Sequence, residues 1–240
     1  MLKQLYYSAW YSTLITFRVK QAVFFTFFFP LALYLVFSNI WGGAKGDPAY
    51  PGFLLTGLVG ITVCSNGIMG VGVVLKDYYV TGMFKYLSKI PLNMLVYFSG
   101  VILSRLLIFI GLIIGLGIIA YIFFQHVVTV TAFLWLVAGS LAGLFIFVFL
   151  GLSFSFIGIK KPDFDKGLHN MAYFIMVFTS DAFYKTGDFN SVIKWIGDAL
   201  PLNPVLALLR GNGVQPMLFA WLVISASIFS FLFRRQKLNR

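Results

Sequence analysis

The sequence predicts an all-α integral membrane protein with six transmembrane helices, and three observations support this. Residues 106–124 form a run of nineteen without an Asp, Glu, Lys, Arg or His side chain. As a helix, this run would cover about 28 Å, close to the hydrocarbon thickness of a bilayer. The chain is 60% hydrophobic and 10% charged, whereas soluble domains carry about 25% charged residues. The basic residues lie mainly between apolar runs, which in lipid must be helical.

The N-terminal segment, residues 1–20, has the pattern of an amphipathic helix. Apolar and aromatic residues recur three and four positions apart, and Lys3, Arg18 and Lys20 lie among them. This pattern is typical of a helix that lies in the membrane interface. The first span then follows at about 21–41, with Pro30 at its middle, where a kink is expected.

The next spans are separated by polar connections. The second span, about 52–75, is rich in glycine, which permits close helix packing. A polar connection, 76–93, leads to the third span, about 96–124, where Arg105 falls near the inner edge and can extend toward water. The fourth span, about 132–159, exceeds one crossing, so we expect tilt, a bend or an extension beyond the bilayer.

The pattern changes in the last third of the chain. Residues 167–180 contain only fourteen charge-free positions, about 21 Å of helix, which makes a short fifth span. Residues 181–213 mix charges with apolar residues at helical spacing, which predicts short re-entrant or interfacial helices. The sixth span is about 217–233.

Specific contacts are expected within the segment 181–210. Its apolar residues should bury against the outer ends of the spans; they are Ile193, Trp195, Ile196 and Leu200. Pro201 and Pro204 should divide it into short helices, because proline disfavours helical geometry in the residue before it. Arg210 should lie close to the outer leaflet and needs a carboxylate, a carbonyl or a phosphate as partner. Asp181 and Asp198 are the candidates within the protein.

The distribution of basic residues predicts the topology. With the N-terminus inside and six spans, thirteen Lys and Arg lie in cytoplasmic segments and four lie outside, with Arg105 at the inner edge. This bias follows the positive-inside rule and places both termini in the cytoplasm. We expect residues 1–240 to form a single multi-pass domain in a bacterial cytoplasmic membrane, in contact with lipid.

Several classes of chemistry have no support in the sequence. No phosphate-binding loop, zinc-protease motif or serine-hydrolase motif occurs. Cys64 is the single cysteine, and His126 and His169 lie on separate segments, where packing or interfacial roles are expected. No span has an acidic residue at its centre, which argues against an ion-driven carrier. We expect no catalytic residue, cofactor or metal in this chain, and we attribute the net charge of +11 to topology rather than to nucleic-acid binding.

Three stretches resemble the permease subunits of type-2 ATP-binding-cassette exporters. The first is the amphipathic segment with Pro30 in the following span and then the run 50–52. The second is the connection 76–91, with a charged pair, a glycine, basic residues and a closing proline. The third combines residues 151–161, the short fifth span with 178–183, and the runs 200–204 and 207–211. The usual Ser-Gly after the fifth span is here Ser180-Asp181.

This resemblance implies a subunit of a larger transporter. It implies two copies of a separate ATPase subunit, which would hold ATP and Mg, and a second permease copy as a homodimer or heterodimer. A coupling helix for the ATPase is implied within residues 76–93; the residues assigned to it are Lys76, Asp77, Gly82, Lys85, Lys89 and Pro91. An outer gate is implied within 181–213; the residues assigned to it are Ser180, Asp181, Trp195, Pro201, Pro204 and Arg210.

The sequence leaves some alternatives open. The pairs Gly111/Gly115 and Gly139/Gly143 could mark helix contacts within the chain or between chains. The Phe cluster at 24–29 favours lipid contact or packing over lining a path. The leading interpretation is a permease that exports a drug, peptide, lipid or lipid-linked glycan by alternating access. The alternative is a nucleotide-independent channel or a membrane scaffold.

Overall fold

The computed structural model describes residues 2–42, 46–72, 81–82, 94–157, 162–188 and 190–238, and regular structure in these ranges is helical. The helices are α1 (Leu2–Arg18), α2 (Lys20–Trp41), α3 (Tyr50–Ser65), α4 (Met94–Phe124), α5 (Val130–Ile157), α6 (Pro162–Thr179), α7 (Ser191–Ala199), α8 (Leu202–Leu209) and α9 (Pro216–Leu238). Helix α3 continues into wider π-helical turns at Asn66–Gly72.

Five of the described helices are long and apolar enough to cross a membrane, namely α2, α3 with its extension, α4, α5 and α9. Helices α7 and α8 form a bent pair that would supply a sixth crossing if they spanned as one broken helix. Helix α6, which contains the predicted short fifth span, begins with the charged stretch 162–166 and is not among the five. The predicted all-α membrane fold is confirmed, with five or six spans.

The proline in the first span is accommodated by a wide helical turn. Residues Phe24–Phe28 form a π-helical turn immediately before the α-helical section Phe29–Trp41, which has Pro30 at its start. Proline cannot donate a main-chain hydrogen bond to the preceding turn, so the ladder of bonds must adjust there. The structure thus shows a local widening of α2 just before Pro30, and the expected kink stays a prediction.

Helix α1 presents its aromatic face outward. Tyr6, Tyr7, Trp10 and Tyr11 are all more than half exposed, whereas Ala9 and Thr16 are buried. Thr13 hydrogen-bonds Ser104 of α4 at 2.9 Å, and a side chain at Gly100 would collide with Ser8. Small and hydroxyl residues thus hold α1 against α4 and leave its aromatic face exposed. The location of this helix in the membrane interface stays a prediction.

Helices α3 and α5 form the centre of the bundle. Of the apolar window in α3, 67% is buried, against 22% in α2 and 11% in α9. The two central helices approach closely because an added Cβ at Gly67 would meet Phe147, and one at Gly151 would meet the main chain of Ile68. The peripheral helices α2 and α9 therefore leave most of their own apolar residues available to lipid or to another subunit.

The helices alternate in direction, which gives the bundle two distinct ends. At one end lie the start of α1, the start of α4 and the end of α9; we call it the termini end. At the other lie the loop 125–129 between α4 and α5 and the bent pair formed by α7 and α8; we call it the hairpin end.

Candidate functional site: a buried helical hairpin

The segment predicted to form short helices is a sharply bent hairpin. Helices α7 and α8 meet at an angle of 83°. Helix α7 begins at Ser191 because the Asn190 side chain accepts a hydrogen bond from the amide of Val192 at 2.8 Å. The bend falls at Leu200–Pro201, as predicted for Pro201. The segment is neither one continuous helix nor a free loop.

Pro204 does not divide the hairpin, so that prediction is wrong. It is the third residue of α8, and the helix continues from it to Leu209. The first amides of a helix have no partner within that helix, so a proline there forfeits no hydrogen bond. Sequence spacing alone could not distinguish this tolerated position from a helix break.

Helix α8 is buried along its whole length between α3 and α5. The insertion is possible because glycines on both neighbours leave room for its side chains. Leu206 lies against Gly60 of α3, and Leu209 lies against Gly139 of α5. Val205 lies against Gly143, so the predicted Gly139/Gly143 pair makes a contact within the chain.

Asn203 links three parts of the segment through its side-chain amide. Its Oδ1 accepts a hydrogen bond from the main-chain amide of Asp181 at 2.9 Å. Its Nδ2 donates to the carboxylate of Asp198 at 3.1 Å. The Asp181 carboxylate in turn accepts from Thr186, at 2.9 Å from its amide and 2.6 Å from its hydroxyl. The hairpin and the turn after α6 are thereby held together.

Arg210, directly after α8, joins this network to α3. Its Nη2 donates to the main-chain carbonyl of Asp181, and its Nε donates to Thr56 Oγ1 at 3.1 Å. The guanidinium also lies over the Phe53 ring, 3.9 Å from its centroid. Burial lowers the pKa of Arg210 to about 10, while Asp181 acts to raise it, so the side chain is charged at neutral pH.

Asp181, predicted as a partner of Arg210, is therefore confirmed, and the group that accepts the hydrogen bond is its main-chain carbonyl. Arg210 bonds to the carbonyl of Asp181, whereas the carboxylates of Asp181 and Asp198 bond to Thr186 and Asn203. Next to Arg210, a cavity of about 390 Å³ lies between α3 and the loop 125–129 and includes His126 in its wall.

The expected burial of Trp195 is wrong. Its side chain is 74% exposed, while Ile193, Ile196 and Leu200 are partly buried as expected. Helix α7 packs through Gly197, which lies against the carbonyl of Thr179 and the Asn203 amide. Trp195 is two residues away, about 200° around the helix, and so faces outward. An exposed tryptophan at a span end suits the aromatic belt of a membrane protein.

The remaining predicted site residues fall into two groups. Ser180 is buried and donates to the carbonyl of Val177 at 3.0 Å. In the predicted coupling region, Gly82 is described, with a φ of +71°. The other residues assigned there lie outside the described residues; they are Lys76, Asp77, Lys85, Lys89 and Pro91.

Sequence reasoning missed the residues that complete the hairpin network. No role was predicted for Asn203, which lies in the run 200–204, or for Thr56. Tyr50 was noted only for its place before the second span, yet its hydroxyl donates to the carbonyl of Phe183 at 3.0 Å. The sequence offered one signal, namely the amide side chain of Asn203 between Pro201 and Pro204 in an apolar run. A buried amide must find hydrogen-bond partners, so a polar contact could have been predicted there.

Within the part of the chain that the structure describes, His169 and Cys64 are packing residues, and His126 lines the wall of the cavity next to Arg210. His169 is buried and bonds Gly151 of α5 at 3.0 Å through Nε2. Cys64 is fully buried beside Met176. Among the described residues, no group of three or more His, Cys or acidic side chains could hold a metal ion.

Comparison with known proteins identifies the family. No curated protein matches the chain. A family model described as "ABC-2 type transporter" matches residues 3–214, which include α1 and the whole hairpin. The match covers most of the 240 residues and agrees with the all-helical fold. The chain belongs to the ABC-2 type transporter family, as a membrane permease subunit of an ABC transporter.

Proposed function

We propose that this permease subunit exports an amphipathic or lipid-like substrate across a bacterial cytoplasmic membrane. The observation that carries the proposal is the family match over residues 3–214. Membership of the ABC-2 type transporter family supports energy input from an ABC ATPase. Two ATPase subunits would bind ATP and Mg, and a second permease copy would complete the transporter.

The hairpin is proposed as the outer gate. Its buried helix α8 lies between α3 and α5, and Arg210 ties its end to Asp181 and Thr56. Movement of the hairpin would have to break these hydrogen bonds and expose apolar surface. Such a closed element fits alternating access, in which the path opens toward one side at a time.

The coupling role is proposed for residues 76–91, which lie in the sequence between the extension of α3 and α4; the start of α4 is at the termini end of the bundle. Under the predicted topology this end faces the cytoplasm, where the ATPase subunits would dock. Force applied there would reach the hairpin through α3, which runs from the termini end to Thr56 and Phe53. The apolar character of the spans favours an amphipathic cargo over a bare ion.

The proposal is tested with an ABC ATPase subunit, which is sought first in a reading frame next to that of this chain. The two proteins are co-expressed, purified as a complex and reconstituted into vesicles that contain labelled amphiphiles. ATP should drive vectorial movement of cargo, and an ATPase variant without its catalytic carboxylate should abolish it. Failure to form a stable complex would overturn the proposal. Flux without nucleotide would show a channel, and a complex without flux would show a scaffold.

A further inference from the structure

An open cavity of about 750 Å³ lies in the half of the bundle near the termini end. Its wall is formed by the end of α1, the first half of α2, the second half of α3 with its π-helical extension, and α6. Arg105 of α4 also lines it. This cavity is separate from the hairpin network, which lies at the opposite end of the bundle.

The wall of this cavity has an amphipathic character. Phe25, Phe29 and Phe174 supply aromatic surface. Polar groups lie on the same wall, including Thr26, Asn66 and Asn170. The amide nitrogen of Asn66 donates to the carbonyl of Thr62 at 3.0 Å, which leaves its oxygen available as an acceptor.

Arg105 has no hydrogen bond or ion pair with any residue that the structure describes, and its Nε is buried without a partner. It directly precedes the charge-free run 106–124, so it lies at the edge of the hydrocarbon region. The sequence suggested that this side chain extends toward water, but the structure places it on the cavity wall. Arg210, by contrast, bonds two oxygen atoms through its guanidinium.

An unpaired cation at membrane depth is costly and requires an anionic or carbonyl partner. The described protein supplies none, whereas the cavity beside it is large enough for a small amphiphile. We propose that this cavity binds an anionic amphiphile, with its acidic head group paired to Arg105 and its hydrocarbon part against Phe25, Phe29 and Phe174. The proposal that the amphiphile binds depends only on the cavity and on Arg105. A role of this binding in transport rests on the proposed function.

The binding test uses the full chain in a neutral maltoside detergent, with two probes of equal chain length. Dodecyl phosphate is the anionic probe and dodecylphosphocholine is the zwitterionic one. In Arg105→Gln, affinity for dodecyl phosphate should fall about tenfold or more, while affinity for the zwitterionic probe stays the same. Arg105→Lys should retain most of the binding. Lys185→Gln, an exposed charge loss at the hairpin end, should change nothing.

Two further measurements separate binding from a structural role. Ligand-free Arg105→Gln should unfold at the same temperature as the wild type or higher, because it loses an unpaired buried charge. Asn170→Trp fills the cavity without altering Arg105 and should also weaken binding of dodecyl phosphate. The proposal is overturned if Arg105→Gln binds dodecyl phosphate normally, loses both probes equally, or unfolds earlier without ligand.

A final measurement distinguishes a transported substrate from a resident bilayer lipid. In the complex with the ATPase, dodecyl phosphate should accelerate ATP hydrolysis through wild-type permease but not through Arg105→Gln if the site takes cargo. Binding without acceleration identifies the site as one for a resident anionic lipid. A complex that fails to assemble overturns the proposed function and leaves the binding result intact.

Discussion

Arg210 and Asp181 are joined through the main chain: the guanidinium donates to the Asp181 carbonyl while the Asp181 carboxylate bonds Thr186. The Arg210 guanidinium thus holds the main chain at Asp181, and the Asp181 carboxylate holds the following turn at Thr186. Because Arg210 also bonds Thr56, one side chain connects α3, the turn after α6 and the end of α8. The hairpin is therefore held by the hydrogen bonds of Arg210, directly after α8, as well as by the burial of the apolar side chains of α8.

Arg210→Lys should destabilise the hairpin although it keeps the charge. A lysine has a single nitrogen and cannot reproduce the two diverging bonds to Asp181 and Thr56 or the contact with the Phe53 ring. Hydrogen bonds to charged groups contribute about 1.5–3 kcal/mol each, so we expect a clear fall in the unfolding temperature in detergent. Thr56→Val removes only one bond and should cost less. An unchanged unfolding temperature for Arg210→Lys would show that the network carries no stability.

Gly57→Ala should be strongly destabilising, whereas Gly70→Ala should be tolerated. A Cβ at Gly57 would collide with the main-chain carbonyl of Ala182, which cannot move without displacing the turn after α6. A Cβ at Gly70 would meet only the side chain of Asn66, at 3.6 Å. Both glycines lie on α3 or its extension, so they form a matched pair. Thermal unfolding of the two purified variants makes the comparison, and equal unfolding temperatures would contradict the close approach.

The sequence predicted the membrane fold well because lipid imposes strict rules on length and charge. The spans beginning at Lys20, Val130 and Pro216 start within two residues of the predicted positions. The segment 181–210 was also expected as short helices, since its charges exclude a simple crossing. These features depend on composition along the chain, which a single sequence shows directly.

The details of the hairpin depend on which residues meet in space, and these were not predictable. Trp195 was expected to be buried because it is large and apolar, but the face of α7 that packs is set by Gly197 against Thr179. The link from Asn203 to Asp181 spans 22 positions, and no periodicity indicates it. The unpaired state of Arg105 could not be inferred either, because it depends on four neighbouring helices.

Asn203→Asp should make the stability of the hairpin depend on pH. The substitution keeps an oxygen for the Asp181 amide but places a second carboxylate where the Asn203 amide now donates to Asp198 at 3.1 Å. Two carboxylates this close raise the folded-state pKa of the pair above its unfolded value. The protonated pair is therefore stabilised at low pH, and this stability is lost as pH rises through the raised pKa. We expect the variant to unfold at a lower temperature than the wild type at pH 7, with the difference shrinking toward about pH 4–5. A difference that is constant over this range would contradict the proximity of the two groups.

The predicted topology can be tested by labelling single cysteines in intact cells. Cysteines placed at Lys45 and Lys185 should react with a membrane-impermeant reagent from outside, and those at Lys85 and Lys161 only after lysis. Lys185 lies in an exposed position at the hairpin end, whereas the other three lie outside the described residues. The native Cys64 is fully buried, so the unmodified chain serves as the unlabelled control. External labelling at position 85 would reverse the assignment of the two ends.

Gly82→Pro should uncouple ATP hydrolysis from export while leaving the spans inserted. Gly82 has a φ of +71°, in the left-handed region, whereas proline is fixed near −65°. Among the residues that the structure describes, no atom lies within 4 Å of a Cβ at this position, so we expect the variant to act through the backbone rather than through a clash. Gly82→Asn is the matched control, because asparagine tolerates the left-handed region better than other residues with a side chain. Co-purification with the ATPase and ATP-driven transport in vesicles measure the effect: the proline variant should lose one or both, and the asparagine variant should keep most of both. Normal transport by Gly82→Pro would exclude this glycine, and the segment around it, from the proposed coupling role.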